Sequence, residues 1–362
     1  MKHSSSDIFL LLTSLKETYV SKAAIKKLFH SCDNFPDLFF CELKKTSFEG
    51  NLEEVKKSIS SLNLNEIKEA LNKKNINFIA YCDKEYPPKL KEISDSPFGL
   101  FCKGDIGLLK DLKTVSIVGT RSATNYGKNI TKKLSMFFAE QNMAVISGLA
   151  AGIDTCAHEG ALERGKTIAV LGTGIDIVFP AGNRDLYNQI VNNGLVLSEY
   201  SPGTEGAPWN FPQRNRIISA LSDAVIVVEG DLQSGALITA RFAIRQGKPL
   251  FAIPGPVDSQ MSNGPNILIK SGVAELLTSA QDVLEKIGGE KQTQLNFNTG
   301  KSIEGLSNSQ KNIYDSLSST PKNFDSVLLE TNLDVRELTK NLSLMELKGV
   351  IEKTSDGGYV RC

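Results

Sequence analysis

The sequence has 362 residues, a length that predicts two or three domains. Its 41 Lys and Arg residues balance 41 Asp and Glu residues, which argues against a protein that coats nucleic acid through bulk charge. No apolar run reaches the roughly 18 residues of a membrane span, and the six cysteines lack CxxC spacing, so we expect a cytoplasmic protein with no membrane segment, disulfide framework or zinc site.

The chain begins with Lys-rich segments of helical periodicity. Apolar side chains follow helical spacing from Asp7 to Phe29, and further helices are predicted from Leu52 to Leu62 and from Leu64 to Lys74. We interpret residues 1–76 as a small helical domain of the SAM or helix-hairpin type. Such a domain serves either as a nucleic-acid module or as a docking or spacer unit.

The central part of the chain alternates strand and helix patterns. Three short β-branched runs, VSIVG, AVIS and TIAVLG, are separated by helical segments from Tyr126 to Asn142 and from Thr155 to Arg164. Runs of this kind are typical of strands buried on both faces of a parallel sheet. Further pairs follow at AVIVVEG and PLFAIPG, so residues 77–285 predict an α/β fold with an extended Rossmann-like, doubly wound, mainly parallel sheet.

Neither of two common nucleotide-binding motifs is present in both sequence and predicted structural context. The run GALERGKT has the Walker A spacing, but it ends a helix and begins a strand, whereas a P-loop follows a strand and opens a helix. After the first core strand the chain reads GTRSAT and not G-x-G-x-x-G, so hydride chemistry with a dinucleotide is not expected. We predict no cofactor.

Small and polar residues follow several of the predicted core strands. Gly119, Thr120, Arg121 and Ser122 form either an anion cradle or an ordinary strand-to-helix turn with a surface arginine. The next turn, GLAAGID, contains Asp154 as a predicted helix N-cap. A third helix is predicted to open at Ser234 and Gly235. Three such turns on one sheet edge predict a groove for phosphate oxygens.

The segment WNFPQRNRIIS predicts a helix with basic residues around its first turn. Arg214, Asn215 and Arg216 surround this turn, and Pro212 suits it. Trp209 and Phe211 are each either a stacking platform for bases or a residue with a structural role, which for Phe211 would be packing in the core.

Residues that would perform catalysis are scarce. Cys156 and His158 are two apart on a helix and face different directions, so they cannot act as a nucleophile and its base. Asp154 and His158 are four apart, which favours a structural contact. The chain has three histidines and no clustered carboxylates, so we predict neither a metal site nor an enzyme.

The carboxy-terminal part is separated from the core by a polar segment. Residues 286–304 are rich in Gly and Asn and are predicted to be a linker. In residues 305–362, helical patterns at Ile313 to Leu317 and Val335 to Leu347 precede a hairpin with Asp356, Gly357 and Gly358 in its turn. Helices followed by a hairpin predict a winged-helix-like domain.

The motifs VGTRSATNYG, GLAAGIDTCAHEGAL, TIAVLGTGID, FPQRNRIIS and SGALITARFA closely resemble those of the DNA-processing protein A family (DprA, also called Smf), in the family's order over residues 80–280. The resemblance implies a Rossmann-like domain that forms a homodimer and binds single-stranded DNA. It also implies a protein that protects incoming DNA and helps load a RecA-type recombinase in natural transformation. The family is not known chiefly for an enzymatic activity.

The resemblance also implies which residues bind DNA. Lys166 is included on this ground only, since its place at the start of a strand predicts the opposite edge of the sheet. Together with the residues proposed above, the predicted DNA and phosphate site comprises Gly119, Thr120, Arg121, Ser122, Lys166, Phe211, Arg214, Asn215, Arg216, Ser234 and Gly235.

Two alternatives remain open. One is a nucleotide-binding or nucleoside-phosphate-hydrolysing Rossmann-like protein, although EGDLQSGALITA, with Glu229, lacks the Gly run of those hydrolases. The other is a winged-helix transcription factor, in which residues 305–362 read duplex DNA.

Overall fold

The computed structural model describes residues 4–15, 22–31, 52–110, 112–288, 306–318, 320–347, 350–354 and 357–361. The described amino-terminal part consists of four helices followed by a strand, a short helix and a second strand. These elements are α1 (Ser5–Ser14), α2 (Lys22–Ser31), α3 (Leu52–Ser60), α4 (Leu64–Lys73), β1 (Asn77–Ala80), α5 (Pro88–Lys91) and β2 (Gly99–Gly104).

From residue 114 onward, strands and helices alternate, as the apolar runs predicted. The elements are β3 (Thr114–Val118), α6 (Asn125–Glu140), β4 (Ala144–Ser147), α7 (Ile153–Leu162), β5 (Thr167–Leu171), α8 (Arg184–Asn193), β6 (Leu195–Ser198), α9 (Asn210–Leu221), β7 (Ala224–Val227), α10 (Gly235–Arg245), β8 (Leu250–Ala252), α11 (Asn263–Lys270), β9 (Glu275–Leu276) and α12 (Ala280–Lys286). In particular, α7 ends before β5 begins, which is the reverse of a P-loop.

Strands β1 to β9 form one sheet, in the order β1-β2-β6-β5-β4-β3-β7-β8-β9. The seven strands from β3 to β9 are parallel, and β2 and β1 extend the β6 edge in antiparallel fashion. The chain runs outward from β3 to one side and then returns to start β7 on the other. The predicted α/β, Rossmann-like, mainly parallel sheet is therefore confirmed, and its strand order reverses between β3 and β7.

Helices cover both faces of the sheet, so the strands from β3 to β8 are buried along their whole length. In β3, Val115 and Ile117 pack against α6 and α7, whereas Val118 belongs to the cluster that α9 and α10 complete on the other face. Side chains of a strand alternate between faces, so one short run supplies both layers. The close packing fixes the ends of the strands, where the site lies.

The amino-terminal helices share a hydrophobic core with the sheet. Ile8 and Phe9 of α1 are fully buried in the same cluster as Tyr81 and Phe98, which lie near the ends of β1 and β2. The ring centroids of Phe9 and Tyr81 are 5.8 Å apart. The change at residue 76 therefore separates helices from strands but does not separate two cores.

The carboxy-terminal elements have a hydrophobic cluster of their own. Three helices, α13 (Asn308–Ser316), α14 (Phe324–Thr331) and α15 (Val335–Leu347), are followed by the antiparallel pair β10 (Ile351–Lys353) and β11 (Tyr359–Arg361). Buried residues from these helices and from β10 pack together. Most of the predicted linker, residues 289–304, and Asp356 of the predicted hairpin turn lie outside the described residues. None of the described helices is long and apolar enough to cross a bilayer.

Candidate functional site

A cleft of about 630 Å³ opens at the carboxyl end of β3, where the strand order reverses. We call it the rim cleft. Most of the predicted site residues line it, namely Gly119, Thr120, Arg121, Phe211, Arg214, Asn215, Ser234 and Gly235. Doubly wound sheets bind ligands at this position, because the turns after the strands diverge there.

Three turns at this edge are joined by backbone hydrogen bonds. The N–H of Thr120 donates to the carbonyl of Glu229 (2.8 Å), and the carbonyl of Thr120 accepts from the N–H of Ile153 (3.2 Å). A Cβ atom at Gly119 would collide with the side chain of Ile153, so only glycine allows α7 to start so close to β3. The turns after β3, β4 and β7 therefore form one rigid rim.

Some backbone amides of the predicted anion cradle at Gly119 to Ser122 already donate hydrogen bonds within the protein. The N–H of Thr120 is already bonded, and the N–H of Ser122 donates to the hydroxyl of Thr120 (3.2 Å). Within the described residues, the amides of Arg121 and Gly235 have no acceptor. A ligand would thus meet these two amides and the exposed guanidinium of Arg121.

Arg121 and Arg214 occupy contrasting environments in the cleft. The guanidinium of Arg121 is exposed, lies 5.6 Å from the ring centroid of Phe211, and makes no ion pair with any residue that the structure describes. Arg214 is 4% exposed and donates to the carbonyls of Gly148 (2.9 Å) and Val170. Burial lowers the pKa of Arg214 to about 10, so it stays charged at neutral pH and ties the ends of β4 and β5 together.

Asp154 accompanies Arg214 inside the rim. The prediction that it caps α7 is wrong, because Gly152, with a positive φ of 82°, occupies the N-cap and Asp154 lies inside the first turn. Its carboxylate accepts from the N–H of Gly148 (3.0 Å). Burial raises the pKa of Asp154, and the charge of Arg214 opposes that rise.

The third turn opens α10 as the sequence predicted. Ser234 is the N-cap, and its hydroxyl accepts from the N–H of Ala236 (3.3 Å). The side-chain amide of Asn215 donates to the carbonyl of Gly235 (3.3 Å), which links α9 to this turn across the cleft. Asp231 also lines the cleft and accepts from Gln260 (2.9 Å).

Aromatic rings form one wall of the cleft. The ring centroids of Phe211 and Phe179 are 5.2 Å apart with their planes tilted by 39°. Phe179 was not among the predicted site residues. The signal that would have found it is its place in the loop after β5, which begins at the same edge of the sheet as the other turns.

Three predicted site residues lie outside the lining of the cleft. Lys166 directly precedes β5, so five strand residues, roughly 17 Å of strand, separate it from the rim. Arg216 is 1% exposed, and its guanidinium binds both carboxylate oxygens of Glu199 at 2.8 Å. Ser122 is exposed beside the cleft. The structure therefore places Lys166 and Arg216 outside the rim cleft, which corrects their predicted position beside the other site residues.

Arg216 belongs to a buried ionic cluster behind α9. Besides Glu199 it contacts the carboxylate of Asp95 at 3.0 Å, and Lys22 of α2 also pairs with Glu199. The neighbouring Lys26 donates to Ser96, and its pKa is lowered to about 7, chiefly by burial. The cluster fastens α2 to the sheet and to the helix that carries the cleft residues.

The groups considered for catalysis are engaged in structural contacts. His158 is fully buried and hydrogen bonds through Nδ1 to Thr167 (2.7 Å), not to Asp154. Burial and the nearby Arg214 lower its pKa to about 3, so it is neutral. The carboxylate of Glu229 accepts from the N–H (2.9 Å) and the hydroxyl (2.5 Å) of Thr124. Among the described residues, no group of three or more His, Cys, Asp or Glu side chains is arranged to hold a metal ion.

A family model described as DNA recombination-mediator protein A matches residues 77–288. DNA processing protein DprA from Streptococcus pneumoniae is 47% identical over 203 residues, which are 56% of this chain and 71% of the relative. Protein Smf from Synechocystis sp. is 35% identical over 318 residues, which are 78% of this chain and 80% of the relative.

Solved structures of DNA processing protein A are also similar to this chain. The crystal structure of DNA processing protein A from Streptococcus pneumoniae is 35% identical, with a TM-score of 0.69, and the match covers 81% of this chain and all of the other. The structure of DNA processing protein A from Helicobacter pylori, described for its single-stranded DNA binding mode, is 33% identical, with a TM-score of 0.54 and coverage of 59% and 95%.

Proposed function

The chain belongs to the DNA recombination-mediator protein A family, and on that basis we propose that it is a single-stranded DNA-binding protein. The strand lies across the rim cleft, with phosphates at Arg121 and at the free amides of Arg121 and Gly235. Members of this family act in DNA processing, and a structural neighbour at 33% identity binds single-stranded DNA.

The observation that carries the proposal is the guanidinium of Arg121, which is exposed at the cleft and pairs with no acidic residue that the structure describes. A guanidinium binds phosphate oxygens through two parallel hydrogen bonds. The anion is bound more tightly where backbone amides point at it as well. The rim is rigid, so these donors are already in place before DNA arrives, and binding orders little of the protein.

We also propose that the protein does no chemistry on the strand. Glu229, the nearest match to the catalytic glutamate of nucleoside-phosphate hydrolases, has both carboxylate oxygens bonded to Thr124. His158 is fully buried and has a pKa of about 3, so it is out of reach of a ligand and only weakly basic. Incubation with nucleoside monophosphates tests this proposal, and the appearance of free base would contradict it in favour of the hydrolase alternative.

Salt dependence tests DNA binding directly. With about four phosphates contacted, the logarithm of affinity should fall with the logarithm of salt with a slope near −3, since each phosphate on a single strand contributes about −0.7. Fluorescence anisotropy with a labelled oligonucleotide measures this slope. An affinity that does not change with salt concentration, or an equal affinity for a duplex of the same length, would contradict the proposal.

The DNA-bound protein is proposed to protect incoming DNA and to help load a RecA-type recombinase during natural transformation, in the cytoplasm. This part rests on the family to which the chain belongs. The test is recombinase filament assembly on protein-coated single strands. Assembly should be faster with the wild-type protein and should revert to the rate without it when Arg121 is replaced by Ala.

We propose a homodimer formed through the Rossmann-like part, and a winged-helix assignment for the carboxy-terminal elements. The support for the dimer is an apolar patch beside the last strand of the sheet, where Ile267, Val273 and Leu276 are each more than 40% exposed. The support for a winged helix is the order of α13, α14 and α15 before the β10 and β11 pair. Specific duplex binding by residues 305–362 alone would instead favour the transcription-factor alternative.

A further inference from the structure

Two large aromatic side chains beside the rim cleft are unusually exposed. Trp209 is 72% exposed and Phe179 is 46% exposed. Burying an aromatic ring is among the larger gains in folding, so a ring left in water contributes little to stability. Exposed apolar surface next to a polar cleft is typical of a binding surface.

Phe179 and Phe211 both line the rim cleft, and Trp209 lies two residues before Phe211 in the chain. Phe179 is in contact with Phe211, with 5.2 Å between ring centroids. Trp209 stands at the N-cap of α9, between Pro208 and Phe211, both of which line the cleft. The guanidinium of Arg121 lies 5.6 Å from the centroid of the Phe211 ring. Phe179, Phe211 and Trp209 are called the aromatic strip below.

We propose that the aromatic strip is a stacking path for successive bases, outside the phosphate-binding rim. This inference rests on the proposed function and adds to it the part of the ligand that Phe179 and Trp209 contact. Unpaired bases present flat faces that stack on aromatic rings whatever the base, and their phosphates are then within reach of Arg121. In a duplex the bases are stacked on each other, so the aromatic strip excludes it.

The chain supplies its own probe, because Trp209 is its single tryptophan. Unlabelled oligo(dT) is titrated into the full-length protein while tryptophan emission is recorded, and anisotropy of a labelled oligo(dT) is measured in parallel. A second titration uses an abasic oligonucleotide of the same length, which keeps the phosphates and lacks the bases. We expect oligo(dT) to change the emission of Trp209 at saturation, and the abasic strand to bind more weakly and leave the emission unchanged.

Variants separate stacking from folding. Trp209→Ala and Phe179→Ala should each weaken oligo(dT) binding about five- to a hundredfold, the range found for single stacking residues, and should leave abasic binding unchanged. Trp209→Phe should restore most of the affinity. Leu329→Ala, at a position 80% exposed in α14, is the matched control and should have no effect.

The outcomes distinguish this inference from the proposed function. If anisotropy shows salt-sensitive binding but oligo(dT) and the abasic strand bind equally and neither changes the emission, the stacking inference fails and the DNA-binding proposal stands. If the Ala variants bind DNA normally and instead lose a protein partner or the dimer, the strip is a protein-docking surface and the inference also fails. If no strand binds at all, both fail.

Discussion

At the scale of single residues, two arginines of one cleft differ in their surroundings. Arg121 is exposed and bonded to no acid in the described part of the chain, whereas Arg214 is buried and holds carbonyls of two strand ends. A charge in water contributes little to folding, while a buried one is needed by the groups around it. Affinity and stability should therefore respond to different substitutions.

Arg121→Ala should reduce single-stranded DNA affinity by about 1–3 kcal/mol, because a charge-assisted hydrogen bond to phosphate is lost. Its free energy of unfolding should change by less than about 0.5 kcal/mol, as at other exposed positions. Anisotropy and urea unfolding measure the two quantities. Lys166→Ala, an exposed charge at the opposite edge of the sheet, is the control, and an equal loss of affinity there would contradict the placement of the site.

His158 should make folding sensitive to acid. Its pKa is about 3 in the folded protein and about 6.5 when unfolded, so between these values the unfolded chain binds a proton that the folded protein does not. The free energy of unfolding should therefore decrease as pH falls through this window, by up to about 1.4 kcal/mol per pH unit. Urea unfolding at several pH values should give a shallower slope for His158→Gln. Identical slopes would show that the histidine is charged in the fold.

At the scale of elements, α9 joins the site to the rest of the molecule. Its Arg214 and Asn215 line the cleft, and its Arg216 turns away into the ionic cluster with Glu199 and Lys22. Adjacent helix positions point about 100° apart, so neighbouring residues serve two sides of the helix. The position of the cleft residues therefore depends on contacts made behind them.

Arg216→Met should lower the free energy of unfolding by about 3 kcal/mol, because Glu199 remains buried with only Lys22 to offset its charge. The folded variant should still bind single-stranded DNA, since the side chain does not line the cleft. Urea unfolding and anisotropy check both results. Arg241→Met, at an exposed position of α10, is the control. Lost affinity with unchanged stability would instead assign Arg216 to the DNA site.

The order of elements was predictable from the sequence because each feature behind it is local. Short β-branched runs predicted the strands, and small residues after β3, β4 and β7 predicted the turns of the rim. The direction of Arg216 was not predictable, since it depends on how α9 is rotated against the sheet. For Lys166 the local pattern was the better guide. Its place before a strand correctly predicted the edge of the sheet opposite the rim cleft, whereas the family resemblance implied a place among the cleft residues.

At the scale of the whole molecule, the sheet ends in an exposed strand. β9 pairs with β8 on one side, and Leu276 is 46% exposed with Val273 at 45% and Ile267 at 43%. An open strand edge with apolar neighbours is a common surface for self-association. In strand order β9 and β1 are at opposite edges of the sheet.

Leu276→Asp should convert a dimer to a monomer, because a charge would be buried without a partner at the interface. Light scattering measures the molar mass. Leu329→Asp, at an exposed position of α14, is the control and should leave the mass unchanged. A monomeric wild-type protein, or a dimer that survives the change, would place the interface elsewhere.

The pairing of β2 with β6 has a consequence for biosynthesis. Phe101 of β2 lies opposite Ser198 of β6, so β2 cannot join the sheet until about a hundred more residues have left the ribosome. At about 5–20 residues per second the delay is roughly 5–20 s. During that interval β1, β2 and the helix α1 packed on them lack the strand that joins them to the sheet. We expect the nascent amino-terminal segment to be the part of this protein that most needs a chaperone.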